Sequence, residues 1–353
     1  MRVSIVTVYN SNNPGSYWQG RALYETVCEL LPGGAEKNQV VFYDAGTRKF
    51  RKKYLLTVLK NALAFKFHKA GFIYRNHNSI VKDWASLPHT NDGRFVNGSD
   101  VVLFGSDEIW NFDRKEIRDY PVLAGGGING PRKASVALSA GNTGAETMKK
   151  FGLPEYLKDF NYLSVRDQET RDAVAECTDL PIDIICDPTL ARNGDFFPDV
   201  KRPLKGKYIA LYGLDVPKEY ISLVKEISKE MNLPLVSLAR WYNFCDDCVA
   251  DESVFAYYRD AAAVISMTFH GTAFAINFEK PFVVLSCGRK KIKRLIEETG
   301  LTDRCIDGMS AKGAAEILRK DIDFTKARQV LEEKRGKFRE ALKKALFPEQ
   351  KND

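Results

Sequence analysis

Short continuous apolar runs alternate along this chain with amphipathic stretches of helical spacing. VSIVTVY, residues 3–9, is followed by the turn-rich NSNNPGS and then by YWQGRALYETVCELL, whose apolar positions recur three and four apart. VVFYD, VVLFG, ASVALSAGN (134–142), YLSVRD and IDIICDPTL repeat the apolar theme in the first half, and YIALYGL, LPLVSLAR, AAAVISM and PFVVLS in the second. Runs without polar alternation are what strands buried on both faces require, so they predict parallel sheets covered by helices. The two series are separated by NGDFFPDVKRPLKGK, which has the Pro, Gly and charge content of a linker. An α/β protein of two Rossmann-like domains facing a cleft follows, spanning 1–195 and 205–324. Residues 47–92, basic, helical and aromatic-rich, read as a peripheral insertion in the first domain. A charged helix from about Thr325 to Leu346, within the closing segment 325–353, is expected to pack back on that first domain.

The segment Ala261 to Gly288 is the sharpest of these units: strand, tight loop, short helix, strand. His270, one of 4 histidines, stands at its strand-to-helix corner. Ligands of open α/β sheets bind at such corners, and a helix N-terminus there favours anions and a lowered imidazole pKa. Gly271 permits close backbone approach to a ligand. A surface histidine in an ordinary loop is the plainer alternative.

Other strand ends carry polar groups of the same kind. Asn13 and Ser16 sit in the first loop, where their side chains could face a ligand or simply cap the helix. Asp107 and Glu108 close an apolar strand, with Trp110 offering a flat face for a sugar ring; a capping box at Ser106 and Asp107 would serve structure alone. Ser139 ends the next run. Arg166 closes another and fits a carboxylate or phosphate clamp, or a pairing with Asp167 or Glu169.

With 353 residues, 44% hydrophobic and 28% charged, the chain is globular and long enough for two cores. Its net charge of +7 favours anionic partners. No zinc-finger spacing, RNA-recognition signature or helix-turn-helix pattern directs that charge to nucleic acid. The cations cluster at Arg48 to Lys53 and Arg289 to Arg294, which suits phosphorylated small molecules or an acidic membrane surface. Cys245 and Cys248 form a CxxC without a second ligand pair, so no metal site is expected, and the 7 cysteines make no disulfide framework. There is no GxGxxG after the first strand and no P-loop. With neither an export signal nor a spanning run, the protein is expected in the cytoplasm.

NNPGSYWQGRAL, GSDEIWN (105–111), ALSAGN (137–142), LSVRD (163–167), CDPTL (186–190) and TFHGTAFAINFEKPF (268–282) occur in one order over most of the chain. In this ordered set the sequence resembles the polysaccharide pyruvyl transferase family. The resemblance implies a GT-B-like fold, phosphoenolpyruvate as donor, and a pyruvate ketal formed on hydroxyls of a glycan or lipid-linked saccharide, with no cofactor or metal. It places the family's catalytic histidine on His270 and its donor arginine on Arg166. Asp107 or Glu108 would deprotonate or orient an acceptor hydroxyl, with Asn13, Ser16, Trp110 and Ser139 around it. Some members carry an arginine two residues before that histidine, where this chain has Thr268. Arg289, Lys290, Lys291 and Arg294 are the nearest substitute cations, with Thr268 and Gly271 completing the donor loop. A nucleotide-sugar glycosyltransferase and a non-catalytic glycan-binding protein remain the alternatives.

Overall fold

A computed structural model describes the chain except residues 10, 12, 47–48, 199, 201–205, 239, 250–253 and 348–353, and gives the backbone alone for 49–54. The basic cluster at Arg48 to Lys53, Asn12 and much of the expected linker lie outside the described residues.

The chain forms two compact units. The first comprises Met1–Phe50, Ile80–Ala191 and Glu333–Asp353; the second comprises Arg51–Ser79 and Arg192–Glu332. The first unit holds β1 (Arg2–Val6), β2 (Gln39–Tyr43), β3 (His89–Thr90), β4 (Val101–Phe104), β5 (Arg132–Ser135), β6 (Phe160–Val165) and β7 (Ile182–Ile184). These strands lie in the order β3-β2-β1-β4-β5-β6-β7. All neighbours are parallel; Val3 stands opposite Val40 on one side and Val101 on the other. β8 (Ile209–Tyr212), β9 (Leu235–Leu238), β10 (Asp247–Val249), β11 (Ala263–Ser266) and β12 (Phe282–Val284) form the second sheet, in the order β10-β9-β8-β11-β12. Every residue of β4, β8, β9, β11 and β12 is buried, as strands covered on both faces must be.

The helices that matter below are α1 (Pro14–Leu30), α2 (Lys49–Leu63), α3 (Phe67–Ser86), α4 (Gln168–Ala175), α5 (Lys218–Met231), α6 (Phe269–Asn277), α7 (Lys290–Glu298) and α8 (Thr325–Leu346). From Glu333 onward α8 belongs to the first unit, where Arg339 pairs with Glu29 at 2.9 Å and Lys344 with Asp183 at 3.2 Å.

Three expectations change. Residues Arg51–Ser79 are not an appendage of the first domain but part of the second unit, because Phe72 of α3 is buried with its ring 5.8 Å from that of Trp241. ASVALSAGN is strand only to Ser135; at Ala137 the backbone turns left-handed (φ 49°), although Leu138 still bridges Val165. The CxxC stretch, whose sequence pattern was given no strand, runs into the short edge strand β10, which includes Cys248.

Both sheets share one device. Successive strands step outward from a central first strand, then the chain crosses to that strand's other side, so strand order reverses between β1 and β4 and again between β8 and β11. Loops leaving the carboxyl ends of such strand pairs part in opposite directions and leave a crevice for ligands.

Candidate functional site

In the first unit the reversal lies between the turn after β1 and the turn after β4. Asn13 caps α1, its side chain accepting from Gly15 N at 3.0 Å, and Pro14 takes the first helical position, where a missing N–H costs nothing. The cap is Asn13, so the Ser16 hydroxyl is left to donate to Asp107 Oδ2 at 2.5 Å. β4 ends at Phe104, and Gly105 follows with φ 148°; a Cβ there would lie 2.0 Å from the Val136 carbonyl oxygen, so this sharp exit requires glycine. Asp107 then accepts from Glu108 N at 2.7 Å, and its carbonyl accepts from Ser139 N at 3.2 Å. Turns rather than a helix occupy these residues, so Ser106 and Asp107 form no capping box.

Arg166, at the end of β6, ties this edge together. Its guanidinium donates to Asp187 at 2.9 Å and to the Ser106 carbonyl at 3.4 Å, and pairs with Glu108 at 3.7 Å and Asp167 at 3.9 Å. The side chain is only 10% exposed. Burial alone would lower its pKa, but Asp187, Asp107, Glu108 and Asp167 together raise it. Asp187 also accepts from Thr189 N and Oγ1, at 3.0 and 2.7 Å. One guanidinium among four carboxylates offers no net positive charge, and in this arrangement Arg166 holds acids in place. Sequence reasoning quoted the Asp187 motif but gave the residue no task; the parallel pairing of β6 with β7 brings the two together.

Two expected acceptor residues are corrected. Trp110 is fully buried in the core, its ring 6.0 Å from that of Phe160 and its indole N–H bonded to the Leu123 carbonyl at 3.2 Å, so it presents no face to a sugar. Ser139 is equally buried; its hydroxyl donates to Asp167 at 3.0 Å and accepts from Gly141 N at 3.2 Å. Gln19 was missed. It lies one turn beyond Ser16 on α1, is fully buried, and neither end of its amide finds a hydrogen-bond partner among the described residues. The sequence signal was its spacing of three from Ser16.

In the second unit the reversal lies between the exits of β8 and β11, where Met267 N donates to the Tyr212 carbonyl at 3.0 Å. Thr268 caps α6 by accepting from Gly271 N at 3.0 Å, which commits both the hydroxyl and that amide to the helix. His270 therefore occupies the first turn of α6, not the loop before it; it is half-buried, its ring 6.3 Å from that of Phe274. Gly271 is corrected as well. A Cβ there would meet Tyr212 Cδ1 and Ser266 Oγ, each at 2.8 Å, so the close approach that glycine permits is to the protein's own core. Arg289 stands at the N-terminal boundary of α7 without capping it, and donates from its guanidinium to the Met267 carbonyl, at the carboxyl end of β11. Lys290 is exposed and Lys291 half-buried in the same helical turn, which contains no acid. Cations are unfavourable at the positive end of a helix dipole, and a bound anion reverses that balance.

A cavity of about 400 Å³ lies elsewhere in the second unit. It is lined by Phe67, His68, Gly71 and Arg75 of α3 with Trp241 and Cys245 to Cys248, and includes none of the anticipated site residues. Among the described residues no group of three or more His, Cys, Asp or Glu side chains could hold a metal ion. No helix among them is long and apolar enough to cross a membrane.

Solved structures share the fold. A UDP-N-acetylglucosamine 2-epimerase matches with a TM-score of 0.53 and 9% identity, over 100% of this chain and 98% of that one. A glycosyltransferase involved in avilamycin A biosynthesis matches at 0.51 and 11%, over 99% and 98%. A Listeria monocytogenes protein assigned as a UDP-N-acetylglucosamine 2-epimerase matches at 0.50 and 11%, over 96% and 91%. The architecture is GT-B-like. No curated protein sequence matches the chain. The family model for polysaccharide pyruvyl transferase matches residues 23–289, well over half the length, including the turn after β4 and the reversal in the second sheet but neither β1 nor the turn after it, and the chain belongs to that family.

Proposed function

We propose that the protein transfers the pyruvyl group of phosphoenolpyruvate to two hydroxyls of a glycan or lipid-linked saccharide, forming a pyruvate ketal. The observation that carries this is the Arg289 guanidinium on the Met267 carbonyl, which supplies a cation beside Thr268, where some family members have arginine. With Lys290, Lys291 and the N-termini of α6 and α7, it offers compensation for a donor bearing carboxylate and phosphate.

His270, in the first turn of α6, protonates C3 of the enol, which makes C2 electrophilic. A first acceptor hydroxyl adds to C2 as its proton passes to a base, and in the first unit Asp107, held by Ser16, and Glu108, held by Arg166, serve acceptor binding. The C2–O bond to phosphate then breaks, the second hydroxyl closes the ketal and loses its proton, and inorganic phosphate leaves. The steps form two C–O bonds to the acceptor, break the C2–O bond to phosphate and move protons, with no net change of oxidation level, so they call for no redox cofactor. Arg166 acts here as a positioning residue for the acids and does not touch the donor. Peripheral contact with an acidic membrane surface would bring the enzyme to a lipid-linked acceptor.

Phosphate release from phosphoenolpyruvate, measured with and without a saccharide acceptor, tests the proposal. Acceptor-dependent release with a gain of one pyruvyl mass on the acceptor is expected. Consumption of a nucleotide sugar instead, with phosphoenolpyruvate inert, would overturn it in favour of glycosyl transfer; indifference to both would leave a glycan-binding protein.

A further inference from the structure

Between Asp44 and Asp83 the chain contains ten Lys and Arg residues and not one Asp or Glu. Subtracting those ten from the net charge of +7 leaves the rest of the chain at −3, so the protein's entire basic character resides in this segment. The same segment exposes its apolar side chains. Leu55, Leu56, Leu59 and Leu63 of α2 are 59, 65, 55 and 72% exposed. At 100° per residue they fall within one arc of about 100°, with Lys60 beside it. At the corner between α2 and α3, Phe65 is 84% and Phe67 63% exposed, their rings edge to face at 6.0 Å, with the exposed Lys66 between them. Phe65 holds a left-handed backbone (φ 56°) at that tip. Soluble surfaces seldom gather so many large apolar side chains in one patch.

We infer that α2 and the corner at Phe65 form a docking surface for an anionic lipid bilayer. Helices that lie in a membrane interface combine an apolar stripe with flanking lysines that reach the headgroups, and here the leucine arc, the two phenylalanine rings and an unbroken cationic composition coincide. Complementary charge selects this occupant over a neutral surface, because each basic residue near an anionic leaflet adds to the attraction while no carboxylate in the segment opposes it. The surface lies on rather than across the bilayer, since α2 has 15 residues. It goes beyond the pyruvyl-transfer proposal and places the protein where a lipid-linked acceptor would be.

The test uses the full-length protein sedimented with vesicles of phosphatidylcholine alone or mixed with phosphatidylglycerol, without substrate. Binding to the anionic vesicles is expected at least about tenfold above that to neutral ones, weakening as salt rises. Leu55→Ser, Leu59→Ser and Leu63→Ser combined should cut it about tenfold or more with unchanged thermal unfolding, because these side chains are solvent-facing, and Lys60→Glu with Lys66→Glu should do the same. Binding that ignores lipid charge, or a triple-leucine variant that binds like the parent, would overturn the inference. So would failure to bind vesicles together with a dimer that the leucine variant dissolves, which would assign the face to a second copy of the chain. Phosphate release is a separate readout, so either proposal can fail alone.

Discussion

Ser16 donates its hydroxyl to Asp107 Oδ2 at 2.5 Å, joining the turn after β1 to the turn after β4 across 91 residues of sequence. The bond spans the reversal of strand order in the first sheet and aims one carboxylate oxygen. Ser16→Ala should cost about 1.5–3 kcal/mol in urea unfolding, as expected for a hydrogen bond to a charged group. It should also raise the KM for the acceptor while leaving that for phosphoenolpyruvate about unchanged. Steady-state kinetics with each substrate varied in turn checks the split; a rise in the donor KM alone would remove Asp107 from the acceptor side.

Arg166→Ala should destabilise the first unit strongly, by about 3–5 kcal/mol, because Asp187 would remain buried without its cation. Adding Asp187→Asn should recover part of the loss. Arg166→Lys should leave the KM for phosphoenolpyruvate about unchanged in a positioning residue, whereas a donor clamp would show a large increase. Chemical denaturation of the single and double variants, with donor kinetics on the Lys variant, separates the two roles.

His270 and Arg289 should fail differently. His270→Ala removes a half-buried ring and should lower kcat about 10²- to 10⁴-fold, the usual worth of a general acid, with thermal unfolding about unchanged. Arg289→Ala should instead raise the KM for phosphoenolpyruvate about tenfold or more, since it removes charge from donor binding and no proton from the reaction. Retained turnover in the His270 variant would displace it as the acid.

Cys245 and Cys248 should behave as sluggish thiols. Burial pushes the Cys245 thiol far above the usual range, and Cys248 and Asp246 add to the shift; burial likewise raises Cys248. A raised pKa means the thiolate is scarce at pH 8 and becomes appreciable only at strongly alkaline pH. Iodoacetamide followed by mass spectrometry should therefore label both slowly at pH 8 in the folded protein and fast in urea. Purified protein should contain less than stoichiometric zinc.

Much of this architecture could be read from periodicity because parallel strands announce themselves as unbroken apolar runs. The helix at Thr325–Leu346 and the β11-α6-β12 unit were legible to within a few residues. β5 was drawn too long, because the apolar run continues through Leu138 while the turn that ends the strand is a backbone event at Ala137, a residue with no turn signal of its own. β10 was missed because three residues at a sheet edge need no apolar run. Site chemistry was less legible than fold. Strand-end position was read correctly for Asp107 and Arg166, but side-chain direction was not. Trp110 turns inward to fill the space beside Phe160, and the partner that decides what Arg166 can do stands 21 residues away, just past the end of the neighbouring strand β7.

The carboxylate-free segment between Asp44 and Asp83 has a consequence for handling the protein that its overall charge conceals. A chain at +7 is ordinarily expected to repel an anion-exchange resin, yet the remainder of this one sits at −3. Retention on a cation exchanger is thus governed by α2 and its flanks. A preparation nicked and trimmed there would move from one resin to the other while most of its mass stayed the same, which makes the elution position a direct report on whether that segment is intact.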